Sequence, residues 1–407
     1  MTIGIEKLTV YAGRLRLDIP DLVAARDALD AAYVQTQLMC EQRSVYPPFE
    51  DAVTLAVNAA KAILTPEDLE SIALLIVGTE SAVDCGKPVS TWVHRLCGLK
   101  ANCRNFEVKH ACYGTTGALK MASAWLATQN DPTKKALIIN SDLSRKFLNT
   151  PYEPTGGGCA VAMLVSQTPE ILEFDLNRVG YWTSEISDTF RPTSKTEIFN
   201  GQISLYSYLD ALDGAYQHYE KTIGSVDYDA AFKKHIYHAP FPGMPLQAHR
   251  NQLSGLGLSK KAAIANFEQK VSDSLVFAKR IGMAYGGSTF LNLLSLLNTA
   301  EDLQAGDEIS IFAYGSGCQG EFYSGTIGEN AIAQVRSLNL ENTLAARHLL
   351  TVEDYENLEL LREQSIDAQT WQREHPLIDK VYAAAYDGQE LLVLESVQDY
   401  QRSYQWS

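Results

Sequence analysis

The chain has 407 residues, of which 46% are hydrophobic and 20% charged, so it can bury a large core and exceeds the usual size of one simple domain. Its 34 Lys and Arg residues stand against 49 Asp and Glu residues, and the net charge of −15 argues against nucleic acid and anionic membranes as main partners. We expect an acidic cytoplasmic protein built from two packed halves.

The cysteines and the N-terminal sequence indicate the type of cellular compartment in which the protein folds. The seven cysteines are odd in number and include no C-x-x-C pair, which predicts reduced thiols and neither a disulfide framework nor a metal site. The first residues carry no basic segment followed by a long apolar run, so we expect no signal peptide. No stretch approaches the length of a membrane span.

Strands and helices alternate along the first part of the chain, which is typical of α/β layers rather than of a bundle or a sandwich. The predicted elements are a helix over residues 51–63, a buried strand over 72–77, a helix over 115–128 and strands over 136–139 and 160–165. The strand at 72–77 runs on into Gly78-Thr79-Glu80 and so delivers a carboxylate to its C-terminal end. Catalytic groups of α/β sheets usually lie at such strand ends.

Cys112 lies in a small-residue turn between a strand-like run and an Ala-rich helix. The turn places the thiol at the N-terminus of the helix, where unpaired amides and the helix dipole favour a thiolate. We therefore expect Cys112 to act as a nucleophile that carries an acyl group.

The order of elements changes after residue 166, which is the most natural boundary between the two halves. Further along, the sequence predicts a helix-rich stretch from about residue 201 to 223, helices over residues 272–281 and 288–297, and strands near 236 and over 308–313. The strand near residue 236 delivers His238 to the Pro-containing loop Ala239-Pro240-Phe241. We interpret most of the polar tail beyond Leu349 as solvated helix and late strand rather than a binding motif.

Glu80, Cys112 and His238 in these contexts resemble the 3-hydroxy-3-methylglutaryl synthase family of the thiolase superfamily. The resemblance covers most of the chain and rests on further motifs that match in order and spacing. These motifs are the runs at residues 153–164, 188–192, 200–205, 208–213 and 314–324.

The resemblance implies an α/β, thiolase-like fold with two packed halves in αβαβα layers. Residues 1–166 would form the N-terminal half, which carries Glu80 and Cys112, and residues 167–407 the C-terminal half, which carries His238. It also implies a homodimer with no bound cofactor and no metal.

The same resemblance implies an acyl-transfer and condensation reaction. A thioester would acetylate Cys112, and the backbone amides of Cys112 and Ser316 would hold the acetyl oxygen. Glu80 would then remove a proton from the acetyl methyl group, and His238 would polarise or protonate the oxygen of the acceptor ketone. The expected substrate-binding residues are Thr155, Ser204, Ser316, Phe190 and Tyr152.

Two departures from the family pattern refine the substrate. Gly243 and Gln247 stand where enzymes of primary metabolism carry lysines that grip the phosphates of coenzyme A, so binding of the free nucleotide should weaken. The neighbouring run resembles the β-branching synthases of polyketide pathways, whose substrates ride on the phosphopantetheine arm of donor and acceptor acyl carrier proteins. Because carrier proteins are acidic, a local basic patch is expected, and the candidates are Arg250, Lys260 and Lys261.

Several alternatives stay open at the level of the sequence. Met283 stands where the primary-metabolism pattern has an asparagine that contacts the acyl group, so the pocket is either reshaped or completed by another polar group. The first rival function is a coenzyme-A-dependent synthase of isoprenoid precursor metabolism. The second is a catalytically silent thiolase-like assembly partner. The sequence leaves open the polyketide, the carrier proteins and the choice between acetyl and propionyl donors.

Overall fold

The computed structural model of the chain describes residues 2–407. Up to residue 166 the elements are β1 (Gly4–Tyr11), β2 (Leu15–Asp18), α1 (Ile19–Ala24), α2 (Ala31–Tyr33), a π-helical turn (Val34–Leu38), β3 (Gln42–Val45), α3 (Ala52–Lys61), α4 (Pro66–Ser71), β4 (Ile72–Gly78), α5 (Val89–Leu96), β5 (Arg104–Val108), α6 (Gly114–Ala127), β6 (Lys135–Leu143), a 3-10 turn (Glu153–Thr155) and β7 (Gly158–Ser166). All strands and helices predicted for this part are present.

The remainder of the chain begins with short strands and a long helix that lies in the predicted helix-rich stretch. Its elements are β8 (Leu172–Glu173), β9 (Val179–Thr183), β10 (Thr189–Phe190), β11 (Ile198–Phe199), α7 (Gly201–Ile223), α8 (Tyr228–Ala231), β12 (Lys234–Tyr237), α9 (Met244–Leu253), α10 (Lys260–Lys270), α11 (Ala278–Ile281), α12 (Ser288–Thr299), β13 (Glu308–Gly315), β14 (Gln319–Ile327), α13 (Ala331–Ser337), α14 (Leu340–Ala345), β15 (His348–Leu349), α15 (Val352–Ser365), β16 (Trp371–Gln372), α16 (Pro376–Ala385), β17 (Leu392–Gln398) and β18 (Gln401–Trp406), with 3-10 turns at Ser254–Leu256, Ser272–Leu275 and Tyr285–Gly287. None of the helices in residues 2–407 combines the length and hydropathy needed to span a bilayer.

Ten strands form one mixed sheet in the order β12-β13-β14-β8-β1-β7-β6-β4-β5, with β9 alongside β14. The strand β4 pairs in parallel with both β5 and β6, so the C-terminal ends of β4 and β5 meet at the same edge. The two-residue strand β8 pairs with both β1 and β14 and joins the two parts of the sheet. The division of the chain at residue 166 stays a prediction.

Both faces of the sheet are buried, because successive side chains of a strand point to opposite faces. In β7, Val161 belongs to the core around α6 and α12, whereas Ala162 belongs to the core under α3 and α5. In β13, Ile311 faces α6 and α12, whereas Phe312 faces α7, α9 and α10. Helices α6 and α12 therefore form a central layer between the part of the sheet that contains β4, β6 and β7 and the part that contains β12, β13 and β14. The predicted αβαβα thiolase-like fold is confirmed.

The C-terminal tail forms helices and late strands, as expected, and it contributes a small buried core as well. Tyr355 of α15 and Tyr386 after α16 are fully buried, in a core shared with β2 and the segment after β3. The ring of Tyr386 lies 4.8 Å from that of Phe49, edge to face. The sequence conceals this core because its apolar residues pack against a segment more than 300 positions earlier in the chain.

The helix predicted over residues 272–281 is wrong, because it is split into a 3-10 turn and the short α11. The hydroxyl of Ser295 donates to the carbonyl of Asp273 and accepts from the amide of Phe277. Backbone groups that a continuous helix would use are therefore bound by a side chain of α12 instead.

Candidate active site

Glu80 lies two residues beyond β4, in a turn that β6 holds in place. The amide of Glu80 donates to Asp142 Oδ1 at 2.9 Å, and the hydroxyl of Thr79 donates to the carbonyl of Ser141 at 2.7 Å. Because β4 and β6 are parallel neighbours, these bonds tie together two strand ends at one edge. The Glu80 side chain is only 11% exposed.

Cys112 follows β5, the other parallel neighbour of β4, and precedes α6 by two residues. Ala111 has a φ of +38°, a backbone conformation that is costly for any residue with a Cβ and that concentrates at functional sites. The Cys112 thiol donates to Glu80 Oε1 at 3.5 Å. The two predicted catalytic side chains are therefore in direct contact.

Burial, rather than the helix terminus, dominates the ionisation of Cys112. Burial and the adjacent Glu80 carboxylate raise the pKa of the thiol well above its usual value. A helix terminus contributes about 0.3–1 kcal/mol, whereas full burial can shift a pKa by about 3–5 units, each worth about 1.4 kcal/mol. The thiolate expected from the sequence is therefore wrong for the unliganded site, and the thiol needs a base.

Glu80 is suited to be that base. Burial raises the pKa of Glu80 to about 7, although the charge of Arg191 opposes the shift. Near neutral pH the carboxyl group therefore exists in both protonation states, which is the condition for efficient proton transfer in either direction.

His238 directly follows β12 and is buried. Its Nδ1 lies 2.6 Å from the hydroxyl oxygen of Ser288, and that oxygen also accepts from the amide of Ala239 at 3.2 Å. When the hydroxyl donates to Nδ1, Nε2 of the neutral ring carries the hydrogen and is a donor. Burial lowers the pKa of His238 to about 3, so the ring is neutral at physiological pH.

The segment from Tyr285 to Ser288 connects Cys112 with His238. A Cβ on Gly286 would lie 3.2 Å from the carbonyl oxygen of Cys112, so this segment runs along the cysteine turn. Two residues later, Ser288 binds His238. The cysteine and the histidine thus border the same short segment although they come from different parts of the sheet.

Ser316 lies in the turn between β13 and β14, directly beside the cysteine turn. A Cβ on Gly315 would approach the amide nitrogen of Tyr113 to 2.5 Å, so only glycine permits this close packing. The buried Asp188 holds the turn, because it accepts from the amide of Gly317 at 3.0 Å and from the hydroxyl of Tyr314 at 2.7 Å. Asp188 lies in one of the motifs shared with the family, but its place in the sequence gives no sign of this role.

A network of buried charges around Arg191 was also missed. The guanidinium of Arg191 donates to the carbonyl of Glu80 at 3.0 Å and lies 3.5 Å from its carboxylate. Its other side pairs with Glu197 at 3.1 Å, and Tyr285 donates to the same carboxylate at 3.2 Å. Asp142 is the third acidic group, since it accepts from the amide of Glu80. The hairpin of β10 and β11 carries both Arg191 and Glu197 and positions them against Glu80.

The other predicted substrate-binding residues lie at varied depths. Thr155 is buried, and its carbonyl accepts from the amide of Met283 at 3.0 Å. Ser204 lies in the first turn of α7, with its hydroxyl 3.1 Å from that of Thr189. Phe190 and Tyr152 are 42% and 38% exposed, so both face solvent in part.

Helices α9 and α10 present an exposed surface that combines cations with apolar side chains. We call it the α9–α10 surface and define it by Arg250, Lys260, Lys261, Leu256, Leu258 and Ile264. Leu256 is 50% exposed, and the other two apolar residues are each more than 40% exposed. The three cations predicted to contact a carrier protein therefore lie beside solvent-facing apolar groups.

Gly243 lacks a side chain for a steric reason. A Cβ at this position would lie 1.7 Å from the carbonyl oxygen of Gln37, and the amide of Gly243 donates to the carbonyl of Leu38 at 3.0 Å. The π-helical turn of residues 34–38 thus occupies the space that a lysine would need. Among residues 2–407, no group of three or more His, Cys, Asp or Glu side chains is arranged to hold a metal ion.

Comparisons with known proteins agree with this architecture. Residues 1–170 match the family described as hydroxymethylglutaryl-coenzyme A synthase N terminal, and residues 247–406 match the corresponding C-terminal family. The chain is 34% identical to the polyketide biosynthesis 3-hydroxy-3-methylglutaryl-ACP synthase PksG of Bacillus subtilis (strain 168), with 99% of each chain covered. It is 37% identical to a hydroxymethylglutaryl-CoA synthase of Enterococcus faecalis over 80% of this chain and 83% of that protein.

Similarity extends to solved structures. The HMG synthase of the curacin biosynthetic pathway, crystallised in complex with a holo donor-ACP, superimposes with a TM-score of 0.95 at 36% sequence identity, and each chain is fully covered. The fold, the family matches and the full-length relatives agree. The chain belongs to the hydroxymethylglutaryl-coenzyme A synthase family and is an acyltransferase of that family.

Proposed function

We propose that this enzyme transfers an acetyl group from a donor acyl carrier protein to Cys112 and joins it to the β-carbonyl of a β-ketoacyl carrier protein. The product is a 3-hydroxy-3-methylglutaryl-type β-branch on a polyketide intermediate. The observation that carries the proposal is the contact of 3.5 Å between the Cys112 thiol and a Glu80 carboxylate whose pKa is raised to about 7.

Acetyl transfer is the first step. Glu80 takes the thiol proton, the sulfur of Cys112 attacks the carbonyl carbon of the donor thioester, and the pantetheine thiolate leaves and recovers a proton. The amides of Cys112 and Ser316 hold the oxyanion, and each such donor is worth roughly 3–4 kcal/mol in the transition state.

Carbon–carbon bond formation is the second step. Glu80, again a carboxylate, removes a proton from the acetyl methyl group, and the resulting enolate carbon attacks the β-carbonyl carbon of the acceptor. The Nε2–H of His238 donates to the ketone oxygen and polarises it, and the alkoxide that forms takes up the proton that Glu80 removed, which gives a tertiary alcohol. Arg191 keeps Glu80 oriented and favours its ionised form. Water then hydrolyses the thioester at Cys112 and releases a carboxylate.

The carrier-protein dependence is supported by the relatives named above and by Gly243. One of these relatives is named as an ACP synthase and another was crystallised with a donor-ACP. Carrier proteins are acidic, so an enzyme of net charge −15 must offer them local cations. Arg250, Lys260 and Lys261 on the α9–α10 surface fill this role, with the adjacent leucines and isoleucine as apolar contacts.

The remaining assignments belong to the same proposal. Thr155, Ser204, Ser316, Phe190 and Tyr152 contact the substrate or its pantetheine arm. The enzyme acts as a cytoplasmic homodimer without a bound cofactor. The Enterococcus relative favours coenzyme A as the alternative donor.

The test is acetylation of the intact protein followed by mass spectrometry. With acetyl-carrier protein, the wild type should gain one acetyl group, and Cys112→Ala should gain none. Cys318→Ala, which removes another buried thiol, is the matched control and should be acetylated like the wild type. Acetylation that persists in Cys112→Ala would overturn the assignment.

A further inference from the structure

A small cavity adjoins the turn that carries Glu80 and is not used by the proposed reaction. It has a volume of about 50 Å³ and lies between Ser81, the β10–β11 hairpin at Ser194 and the end of α15 at Ser365. A water molecule needs about 10–15 Å³ measured in this way, so the cavity has room for a small polyatomic ligand.

Two buried arginines line this cavity without full hydrogen bonding. Arg145 and Arg362 are 6% and 4% exposed, respectively. Nε of Arg145 and both Nε and Nη1 of Arg362 lack a hydrogen-bond partner within residues 2–407. Arg362 pairs through Nη2 with Glu359 at 2.8 Å, whereas no comparable ion pair within residues 2–407 compensates the charge of Arg145. Buried guanidinium groups normally have such partners, because leaving a buried charge unpaired is costly.

The charge of Arg145 persists despite its burial. Burial, together with the nearby Arg191 and Arg362, lowers the pKa of Arg145 to about 10, which is still well above neutrality. The backbone amide of Arg145 donates to Glu197 at 3.4 Å, but that carboxylate also binds Arg191 and Tyr285.

The carboxylates of the cavity wall are committed to other partners. Glu50 accepts from the hydroxyls of Tyr11 and Tyr386. Asp51 caps α3 and pairs with Arg402 at 3.0 Å, and the exposed Asp367 accepts from Ser194. These groups leave the guanidinium of Arg145, which makes no side-chain hydrogen bond within residues 2–407, without a carboxylate partner, yet the negative charge of the wall disfavours a dianion in the same cavity.

We propose that the cavity lined by Arg145 and Arg362 is a binding site for a small monoanionic carboxylate, distinct from the thioester site at Cys112. Planar carboxylates match the fork of N–H donors that arginine presents. The hydroxyls of Ser81, Ser194 and Ser365 border the same space, where they donate to Leu143, Asp367 and Arg362, respectively. A ligand here would join α15 to the hairpin that positions Arg191.

Thermal unfolding of the full chain tests this site with acetate as the probe. Sodium gluconate at equal concentration is the reference, because gluconate carries the same charge but is too large for the cavity. Acetate should raise the midpoint of unfolding saturably, by about 2 °C, because a ligand that binds only the native state stabilises it. Arg145→Met and Arg362→Met should lose the rise, whereas Lys195→Met, which removes an exposed charge beside Ser194, should keep it.

Ser365→Leu provides a second route that leaves both arginines in place, since a leucine side chain would fill the cavity. It should also lose the acetate effect, and it keeps the test valid if an arginine variant does not fold. Equal shifts with acetate and gluconate, or an acetate shift that persists in the folded arginine variants or in Ser365→Leu, would overturn the site. A larger shift with inorganic phosphate than with acetate would overturn the carboxylate assignment.

Discussion

The reaction centre and the α9–α10 surface differ in whether their charged groups are buried or exposed. Around Glu80, the charged groups are buried, and Arg191 and Glu197 bind each other across a hairpin. On the α9–α10 surface, Arg250, Lys260 and Lys261 are exposed, and none forms an ion pair within residues 2–407. Buried and bonded charges fix proton affinities, whereas exposed charges stay available for a partner. We infer that the first region determines the reaction and the second determines the donor.

Removing the carboxylate of Glu80 should separate the two regions most sharply. Glu80→Gln should lower the rate of branched-product formation by about 10²–10⁴-fold, because the methyl proton then has no base. Acetylation of Cys112 should slow as well, because Glu80 takes the thiol proton, but it should slow less than condensation, since the substitution also removes a charge that raises the thiol pKa. Quenched reactions resolved by mass spectrometry measure both steps in one sample.

Glu185→Gln changes an exposed carboxylate and is the control for this variant. It should leave both steps unchanged. If folded Glu80→Gln forms the branched product at the wild-type rate, Glu80 is not the base that removes the methyl proton.

The charge of Arg191 should appear in the pH dependence of condensation. Because Arg191 lowers the pKa of Glu80, Arg191→Met should raise that pKa, by about one unit or more. The wild-type rate should rise with pH through about 7 as Glu80 loses its proton. In the variant this rise should move to higher pH, so that activity falls about tenfold at neutral pH and recovers in alkali. An equal loss at every pH would show that Arg191 serves packing alone.

Charge reversal on the α9–α10 surface should affect the donor and spare the chemistry. Arg250→Glu should slow acetylation by acetyl-carrier protein about tenfold, and added salt should slow the wild type in the same direction. Acetylation by a small pantetheine thioester should not change. Lys221→Glu, an exposed reversal at the end of α7, is the control. A similar slowing of the pantetheine reaction would remove Arg250 from the carrier contact.

Restoring lysines should fail to restore coenzyme A binding. A side chain at position 243 would collide with the carbonyl of Gln37, so Gly243→Lys combined with Gln247→Lys should unfold a few degrees earlier than the wild type. Its acetylation by acetyl-coenzyme A should not accelerate. Gln247→Lys alone is the control and should keep the wild-type midpoint. A faster coenzyme A reaction in the double variant would show that the π-helical turn yields to a nucleotide-binding side chain.

The sequence predicted the parts of the molecule that depend on local pattern. The helix of residues 201–223 has an Asn cap and a glycine after its last turn, and its bounds match those of the predicted helix-rich stretch. The contact of Glu80 with Cys112 follows from parallel strands that end at one edge. In both cases the information lies within a few residues of the element.

The parts that the sequence concealed depend on distant contacts. Arg191 reaches Glu80 across 111 positions, and Asp142 reaches it across 62. No spacing rule links such residues, and only folding shows that burial overrides the helix terminus at Cys112. The buried core of the tail is hidden for the same reason, since Tyr386 contacts Glu50 across 336 positions.

The rate of Cys112 acetylation by two donors tests the dependence on a carrier protein most directly. Acetyl-carrier protein and acetyl-coenzyme A at equal concentration should be compared by intact-protein mass spectrometry over time. The carrier protein should react at least about ten times faster, because Gly243 excludes a phosphate-binding lysine while Arg250, Lys260 and Lys261 attract the acidic carrier. Equal rates with the two donors would contradict the proposed carrier-protein dependence and would favour the coenzyme-A-dependent synthase instead.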